Sequence, residues 1–429
     1  MQINLTNKTV LLGVTGSISA YKACDLARLF VKAGASVHVV MTASAERFVS
    51  ALTFEALTRN AVLTENSESW ASELNHIDIG KKCDVFIIAP ATANTINKLS
   101  KGIADNILTQ TALAFNKTLL IAPAANTNMI EHHYTVGSLK MLGVNEVRII
   151  NPQSKLLACG DEGNGALAEP LEIFHQTAQA LLEEEFWKDR KIVVTGGGTR
   201  EKIDEVRYIS NFSSGKMANA LATALYLKGA DVCLISTMNH AHIPSEIYTI
   251  DVESAEEMKE YTIDAVRVSK KGKMSKATMN SSEPIHLIQK KPYLFMAAAV
   301  ADFTPKFPQV GKMKKKDIGD EWNIQMKQTA DILTEVNKLG LLTVAFKAEM
   351  DSEHGFLNAK SLIENKNVDG VCYNLLNDSQ SFGTNEHSIT FITKEGSREL
   401  GTASKLDLSF KILNESQKLE NEQSHHELF

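Results

Sequence analysis

At 429 residues the chain exceeds what one hydrophobic core usually supports, and its 44% of apolar residues is enough for two domains. Its 45 basic and 51 acidic residues give a formal charge of -6, which argues against nucleic acid or an anionic membrane as the main partner. The five scattered cysteines include no C-x-x-C pair, no apolar run approaches the roughly 20 residues that span a bilayer, and no signal-peptide pattern opens the chain. We therefore expect a cytoplasmic protein without a disulfide framework or a zinc site.

The first half alternates short, β-branched apolar runs with helical patterns. Strands are predicted at residues 9–14, 36–41, 85–89, 118–122 and 147–150, and helices follow most of them, for example at 17–32 and 94–101. This alternation is typical of parallel strands that are joined by crossover helices and buried on both faces. We expect an α/β domain, flavodoxin-like or Rossmann-like, with its ligand at the carboxyl ends of the strands.

A second domain is predicted after a helical pattern at 171–187. A new strand begins at 192, so we predict a boundary near residue 189, with domains at 1–189 and 190–429. Strands at 231–236, 293–297, 342–346 and 368–373 predict a second α/β domain, also Rossmann-like. The polar segment at 261–291 lacks helical or strand periodicity over much of its length, which predicts a mobile loop inserted at about 262–291.

Loops rich in small residues follow several predicted strands of the first half. Residues 13–19 join strand to helix where free backbone N–H groups suit a phosphate, although a plain strand–helix turn explains them equally well. They lack the G-x-G-x-x-G pattern, so a dinucleotide is not indicated. The loops at 89–95 and 122–129 carry asparagines, and Cys159 lies in a glycine-rich stretch where a thiol is a candidate acid or nucleophile.

Together these motifs resemble those of the flavin-containing cysteine decarboxylases, and they stand in the order that family uses. The matching segments are residues 12–22, 76–77, 89–103, 123–129 and 158–170. The resemblance implies FMN against the loops after the strands, with its phosphate near Gly16 and Ser17. Further contacts are then expected from Thr42 or Ser44, and from Asn94.

The same resemblance assigns the chemistry of this half. His76 matches the histidine beside flavin and substrate, Asn126 the asparagine that holds the substrate carboxylate, and Cys159 the proton donor. The family is thought to oxidise the cysteine thiol with FMN before carbon dioxide leaves and then to return the electrons from the same flavin, so no external nicotinamide is needed. Ala125 stands where methionine is usual, and Ala166-Leu167 where arginine-methionine is usual.

The second half carries another set of polar loops. Residues 193–201 contain three glycines that let backbone approach a phosphate, without the G-K-[ST] ending of a P-loop. Ser213, Ser214 and Lys216 precede or open a helix predicted near Gly215, a position that suits an anion. The lysine cluster at 312–316 is either a solvated surface loop or a group that neutralises departing pyrophosphate.

These pieces resemble phosphopantothenate-cysteine ligase, the domain that bacteria commonly fuse behind the decarboxylase. The resemblance implies that CTP with Mg2+ activates the carboxylate of 4'-phosphopantothenate as an acyl-cytidylate, from which the amine of L-cysteine displaces CMP. Asn211 matches the asparagine linked to conversion of this intermediate, and Lys312 the lysine needed to form it; no Mg2+ ligand is assigned. Contacts to CTP are then expected from Ala298, Ala299, Val300, Asp302, Lys312, Ala330, Asp331, Ile332, Leu333, Phe346 and Lys366.

Over most of its length the chain is identified as a member of the bacterial bifunctional phosphopantothenoylcysteine decarboxylase/phosphopantothenate-cysteine ligase family of coenzyme A biosynthesis. The family implies small-molecule partners and a homo-oligomer with trimeric decarboxylase and dimeric ligase units, up to a dodecamer. Two alternatives stay open: a decarboxylase whose second domain only binds nucleotide, and a non-catalytic flavin-binding scaffold. Asn211 and Lys312 argue against the first alternative, and His76, Asn126 and Cys159 argue against the second.

Overall fold

The computed structural model describes residues 2–156, 160, 162–238, 243–279, 284–314, 316, 321–351, 353–375 and 386–420. By contacts between residues the chain divides into two compact units. The N-terminal unit comprises Gln2–Glu183 with Ser275–His286, and the C-terminal unit comprises Glu184–Met274 with Leu287–Phe429. The division at Glu183 lies close to the boundary expected near residue 189.

The N-terminal unit is built around a five-stranded parallel sheet with the order β2-β1-β3-β4-β5. The strands of this unit are β1 (Thr9–Val14), β2 (Ser36–Met41), β3 (Val85–Ala91), β4 (Thr118–Pro123), β5 (Arg148–Ile149), and the antiparallel hairpin β6 (Gln153–Leu156) and β7 (Glu162–Ala166). Its helices are α1 (Ala20–Lys32), α2 (Ala43–Glu46), α3 (Ala51–Thr58), α4 (Asp78–Lys82), α5 (Ala93–Leu99), α6 (Ile107–Ala114), α7 (Thr127–Ile130), α8 (His133–Val144) and α9 (Pro170–Leu182). This strand order is that of flavodoxin-like folds, as expected.

Burial on both faces explains why these strands are recognisable as continuous apolar runs. Every residue of β3 is buried, and so is every residue of β1 after Thr9. Helix α1 buries residues at helical spacing, from Ala20 to Phe30, against the sheet. The ring of Phe30 packs 5.3 Å from that of Phe174 on α9, so both helices cover the same face.

The C-terminal unit contains an eight-stranded sheet with the order β12-β11-β8-β15-β18-β19-β20-β21. Its strands are β8 (Lys191–Gly196), β9 (Arg200–Lys202), β10 (Tyr208–Ser210), β11 (Asp231–Ser236), β12 (Tyr248–Asp251), β13 (Lys273–Met274), β14 (Leu287–Ile288), β15 (Tyr293–Met296), β16 (Phe303–Pro305), β17 (Met326–Gln328), β18 (Leu342–Glu349), β19 (Gly370–Leu375), β20 (Glu386–Ile392) and β21 (Ser397–Ser404). Its helices are α10 (Lys216–Leu227), α11 (Ala255–Ser269), α12 (Ile332–Glu335), α13 (Gly355–Asn365) and α14 (Lys405–Ser416). The sheet is parallel from β12 to β19, and β20 and β21 add to it antiparallel.

The segment predicted as a loop at 261–291 begins as helix, so that expectation was wrong up to Ser269. Helix α11 opens with a capping box between Ser254 and Glu257. It buries Met258, Thr262 and Val266 at helical spacing, and the polar Thr262 at a core position weakened the apolar pattern. Within the described residues, no helix has both the length and the apolar character needed to cross a membrane.

Candidate active sites

A cavity of about 820 Å3 opens at the carboxyl edge of the N-terminal sheet. Its walls come from the loops that follow β1, β2, β3 and β4, and from the β6–β7 hairpin. Strands β1 and β3 are adjacent in the sheet, but β1 is followed in the chain by β2 on one side and β3 by β4 on the other. This reversal makes the position a topological switch point. Doubly wound sheets bind their ligands at such a point.

The residues expected to contact FMN all line this cavity, and so does Asn126. They are Gly16, Ser17, Thr42, Ser44, Asn94 and Asn126. Two of them also cap short helices: the Thr42 hydroxyl accepts the N–H of Ala45 at 3.3 Å, and the Asn126 side-chain oxygen accepts the N–H of Asn128 at 2.9 Å. These residues therefore have a local structural role as well as a place at the cavity.

Thr15 joins the loops after β1 and β3. Its buried hydroxyl donates to the carbonyl of Pro90 at 2.7 Å and accepts the N–H of Thr92 at 3.1 Å. The next residue, Gly16, packs directly on the loop after β2, because a Cβ there would lie 2.5 Å from the Cβ of Ser44. The loop after β1 is therefore held against both neighbouring loops, without a side chain at Gly16 to fill the space between them.

The β6–β7 hairpin contributes another wall. The N–H of Ala125 donates to the carbonyl of Gly165 at 3.1 Å, and a Cβ on Gly165 would lie 2.1 Å from the Ala125 carbonyl oxygen. Contact at this distance is possible only for glycine. Cys159, the expected proton donor, falls between these two strands and lies outside the described residues.

Lysines bring positive charge to the same cavity. Lys22 and Lys155 line it, and both donate to the carboxylate of Glu169, Lys22 at 3.3 Å. The bond from Lys155 lowers the pKa of Glu169 most, and Lys22 lowers it further against the opposing effect of burial. Sequence reasoning did not select these lysines, since exposed lysines are common on any surface.

His76 is not among the residues that line this cavity. Its Nδ1 lies 2.7 Å from Oε1 of Glu68, and its ring meets that of Trp70 edge-on at 5.6 Å between centroids. Trp70 is largely exposed. The structure thus brings Asn126 and the expected FMN contacts together, but not His76 with them.

A second cavity, of about 530 Å3, lies at the carboxyl edge of the C-terminal sheet. The loop after β15, the carboxyl-terminal part of β18 and the residues that lead into α10 form most of its wall. Of the residues expected to act or to contact CTP, it is lined by Asn211, Ala298, Ala299, Val300, Asp302 and Phe346. Ser213, Ser214 and Lys216 line it too, as the suggested anion position requires.

The glycines at the end of β8 and just after it serve close packing within the protein. A Cβ on Gly196 would lie 2.5 Å from the Cβ of Ala218, and one on Gly198 would lie 2.6 Å from the carbonyl oxygen of Asn211. None of the three glycines at 196–198 lines the cavity, so the structure does not place them where they were expected to contact a phosphate. Their small size instead lets α10 and the residues before it approach β8.

Backbone pairing fixes the loop after β15. The N–H of Ala299 donates to the carbonyl of Gly197 at 2.8 Å, and the N–H of Ala301 donates to the hydroxyl of Thr199 at 2.9 Å. The side-chain amide of Asn211 donates to the carbonyl of Val300 at 3.1 Å. Asn211 is therefore held against the loop that is expected to bind CTP.

The remaining expected residues lie elsewhere in the C-terminal unit. Lys312, Ala330, Asp331, Ile332, Leu333 and Lys366 do not line the cavity. Lys366 pairs with Asp331 at 2.5 Å. Burial opposes ionisation of Asp331, but the bond to Lys366, the charge of Lys366 and the bonds from Thr334 together outweigh it and lower the pKa of this carboxyl.

Several lining residues were missed by sequence reasoning: Lys347, Asn374, His387 and Lys405. Asn374 sits near the carboxyl end of β19, beside β18, so the rule that ligands bind at strand ends could have found it. His387 and Lys405 come from β20 and α14, which had no such signal. Within the described ranges no group of three or more His, Cys, Asp or Glu side chains forms a preformed metal site.

Comparison with known proteins agrees with the division of the chain into an N-terminal and a C-terminal unit. Residues 2–182 match the family model described as Flavoprotein, and residues 187–275 and 260–419 match the DNA/pantothenate metabolism flavoprotein C-terminal domain. The coenzyme A biosynthesis bifunctional protein CoaBC of Bacillus subtilis (strain 168) is 40% identical over 420 residues, covering 96% of this chain and 97% of that protein. The CoaBC protein of Haemophilus influenzae (strain ATCC 51907 / DSM 11121 / KW20 / Rd) is 34% identical over 417 residues, covering 96% of this chain and 98% of its own length. The chain therefore belongs to the family of coenzyme A biosynthesis bifunctional proteins.

Proposed function

We propose that the chain makes 4'-phosphopantetheine in two steps, one at each cavity. Residues 190–429 join 4'-phosphopantothenate to L-cysteine with CTP and Mg2+, and residues 1–189 decarboxylate the resulting 4'-phosphopantothenoylcysteine with FMN. The observation that carries the proposal is that each sheet has a cavity at its carboxyl edge, one lined by most of the residues expected for the decarboxylase and the other by half of those expected for the ligase. The proposal fits a chain that contains both family regions.

The N-terminal cavity has the properties that FMN requires. Its volume of about 820 Å3 falls in the range of cofactor pockets, and the hydroxyls of Ser17, Thr42 and Ser44 are suitable donors to a phosphate. Gly16 leaves room for close approach at the same place. When bound, FMN supplies reversible two-electron redox chemistry to a substrate thiol.

The chain's own residues hold the substrate and move its proton. The amide of Asn126 donates to the substrate carboxylate, and its backbone position is fixed because it caps α7. Met129 and Leu167 line the same cavity and keep water from that carboxylate. The thiol of Cys159 delivers the proton that replaces carbon dioxide at the substrate carbon.

In the ligase half, the carboxylate of 4'-phosphopantothenate attacks the α-phosphorus of CTP, and pyrophosphate leaves. The cysteine amine then attacks the acyl carbon and loses a proton as CMP departs. Val300, Asp302 and Phe346 hold the nucleotide, and Asn211 orients the acyl group from its anchored position beside Val300. The ammonium of Lys312 stabilises charge on the departing pyrophosphate.

Mg2+ fits this scheme without a preformed cage. Magnesium usually takes one or two carboxylates together with the phosphates of a substrate. Asp302 is the carboxylate that lines the ligase cavity and is available for that role. Mg2+ and CTP would then bind together.

The test is to follow pyrophosphate, carbon dioxide and the organic product together, after supplying 4'-phosphopantothenate, cysteine, CTP and Mg2+. The parent protein should carry yellow FMN and form carbon dioxide and pyrophosphate in a one-to-one ratio. Asn126→Ala should retain pyrophosphate formation and lose carbon dioxide formation. Asn211→Ala should release no more than a single-turnover amount of pyrophosphate and no carbon dioxide, because the acyl-cytidylate forms but is not converted. It should still release carbon dioxide when given 4'-phosphopantothenoylcysteine.

Matched controls are Asn4→Ala and Asn337→Ala, because both asparagines make only local backbone caps away from either cavity. Both controls should behave as the parent does. Pyrophosphate without carbon dioxide from the parent would refute the decarboxylase assignment. Bound flavin with neither product would favour the scaffold alternative.

A further inference from the structure

Two lysines reach the flavin cavity from different elements and have no role in the reaction described above. Lys22 lies on α1, Lys155 lies on β6, and both line the cavity. Their ammonium groups contact the same oxygen, Oε1 of Glu169, Lys22 at 3.3 Å. Two ammonium groups that share one oxygen are close enough together for a single anion with several oxygens to contact both.

Glu169 supplies one carboxylate to these two cations. It is the N-cap residue of α9, but its side chain does not cap the helix. It does not itself line the cavity, whereas both lysines do. The side chains of Glu169 and Lys155 are each 46% exposed, and ion pairs that are exposed to this degree contribute little to stability. The carboxylate therefore positions the two ammonium groups without binding them strongly.

Lys98, which also lines the cavity, has no such surplus of positive charge around it. Both oxygens of Asp105, another lining residue, accept its ammonium, at 2.9 and 2.8 Å. Glu65 adds a carboxylate near this pair, because its Oε1 accepts the first N–H of α6, two residues after Asp105. Among the described residues no hydrogen bond or ion pair joins this group to Lys22 or Lys155. The cavity is thus charged unevenly, with its net positive charge at Lys22 and Lys155.

A phosphate monoester suits two such lysines better than a carboxylate does. Near pH 7 it carries about 1.5 to 2 negative charges and three strong acceptor oxygens, enough for both ammonium groups. The proposed decarboxylation substrate has one phosphate, at the end remote from the carboxylate that leaves. FMN has another, but its phosphate is expected at Gly16 and Ser17 after β1, whereas Lys155 lies on the hairpin that carries Cys159. The position of Lys155 therefore favours the phosphate of the substrate.

We propose that Lys22 and Lys155 bind the 4'-phosphate of 4'-phosphopantothenoylcysteine, and that Glu169 holds the two ammonium groups in place until the phosphate replaces its carboxylate. The inference rests on the proposed decarboxylation and deepens it, because it assigns the residues that select a phosphorylated substrate. Binding energy from a group remote from the reacting carbon is available to position that carbon. The phosphate should therefore raise kcat/KM.

Decarboxylation should be measured with 4'-phosphopantothenoylcysteine and with pantothenoylcysteine, which lacks only the phosphate. Lys22→Met and Lys155→Met should each lower kcat/KM for the phosphorylated substrate about 10- to 100-fold, and leave kcat/KM for pantothenoylcysteine within about twofold of the parent. Lys22→Arg should retain a preference for the phosphorylated substrate. The matched control is Lys32→Met, because Lys32 is the last residue of the same helix and does not line the cavity. It should behave as the parent does.

Glu169→Gln separates phosphate binding from a structural tie between α1 and the hairpin. It removes the charge that competes with the phosphate but leaves both lysines, so it should keep at least the parent's preference for the phosphorylated substrate. If the lysines only held the hairpin through Glu169, this variant would instead resemble Lys22→Met and Lys155→Met. Titration calorimetry of the FMN-loaded protein with 4'-phosphopantetheine and with pantetheine makes the same comparison without catalysis. The two methionine variants should lose affinity for the phosphorylated compound alone.

The outcomes are distinct. An unchanged preference in both methionine variants would overturn the inference, and so would an equal loss on both substrates that Glu169→Gln shares. Variants that lose FMN, yet keep the parent's preference once FMN is restored, would also overturn it, because the lysines would then hold the phosphate of the cofactor. A parent that decarboxylates neither substrate would refute the proposed decarboxylase. In that case a lysine-dependent preference for binding 4'-phosphopantetheine over pantetheine would retain the subsite, and its absence would overturn it.

Discussion

At Gly165 the hairpin backbone touches the loop after β4, and a Cβ there would lie 2.1 Å from the carbonyl oxygen of Ala125. Gly165→Ala should therefore push the hairpin away and break the bond between Ala125 N–H and the Gly165 carbonyl, which is 3.1 Å long. Because the cavity wall moves, we expect carbon dioxide formation to fall about tenfold or more. We also expect the variant to retain flavin more weakly. Pyrophosphate formation should not change.

Gly137→Ala is the matched control for this substitution. Gly137 lies in α8, and a Cβ there would meet no atom within 4 Å. Alanine in a helix interior should add about 0.5–1 kcal/mol of stability. Full flavin content and full carbon dioxide formation in Gly165→Ala would show that the hairpin contact is dispensable.

Asp204 links the loop that carries Lys312 to the β9–β10 hairpin. Its carboxylate accepts the N–H groups of Val206 and Arg207 at 2.8 Å and that of Met313 at 3.3 Å, and Arg207 donates back to the Met313 carbonyl at 2.9 Å. Burial opposes ionisation, but these bonds and the Arg207 side chain outweigh it and lower the pKa of Asp204. The contribution of ionised Asp204 to the free energy of unfolding is therefore complete above the ordinary pKa of aspartate. It is lost as the pH falls through the lower pKa that Asp204 has in the folded state.

Asp204→Asn should consequently release the Lys312 loop while preserving the size of the side chain. We expect pyrophosphate formation to fall about 10- to 100-fold and the amide of Met313 to exchange its hydrogen faster. Asp231→Asn is the control, because Asp231 makes a partly exposed pair with Lys191 at 3.5 Å. Unchanged turnover together with unchanged exchange in Asp204→Asn would contradict this positioning role.

At the scale of the elements, the hydroxyl of Thr15 joins the loop after β1 to the loop after β3, and both loops line the flavin cavity. Thr15→Val keeps the side-chain volume but leaves the N–H of Thr92 and the carbonyl of Pro90 without the Thr15 hydroxyl. The expected cost is about 1–3 kcal/mol, seen as a lower midpoint for the thermal transition that releases flavin. Thr53→Val in α3 is the control, since its hydroxyl contacts only the exposed Ser50 hydroxyl at 3.2 Å; equal midpoints for both variants would refute the expectation.

Strands buried on both faces could be predicted from the sequence, whereas the partly exposed strand β20 could not. The core strands β1 and β3 appear as unbroken apolar runs because both of their faces are covered. Strand β20 alternates between buried and exposed residues, so its apolar signal is weaker, and α14 follows it without a recognisable ligand motif. For the same reason the cavity residues at the ends of parallel strands were largely expected, whereas Lys405 and His387 required the folded structure.

At the scale of the whole molecule, the described residues that line each cavity all belong to one compact unit. The ligation product must therefore leave one cavity before it is decarboxylated at another. Nothing in this chemistry requires both cavities to be intact in the same chain. Two chains with complementary defects should then share the pathway through the free intermediate.

We accordingly expect a mixture of Asn126→Ala and Asn211→Ala chains to form 4'-phosphopantetheine from 4'-phosphopantothenate, cysteine and CTP, although neither variant does so alone. Product should appear after a lag in which 4'-phosphopantothenoylcysteine accumulates, and the lag should shorten as the Asn211→Ala chain is increased, because that chain supplies the working decarboxylase. The control is a chain that carries both substitutions. Adding this chain to either single variant should not lead to formation of 4'-phosphopantetheine. If the mixture makes no product while the parent does, the intermediate is not released to solution and the two cavities act only within one assembly.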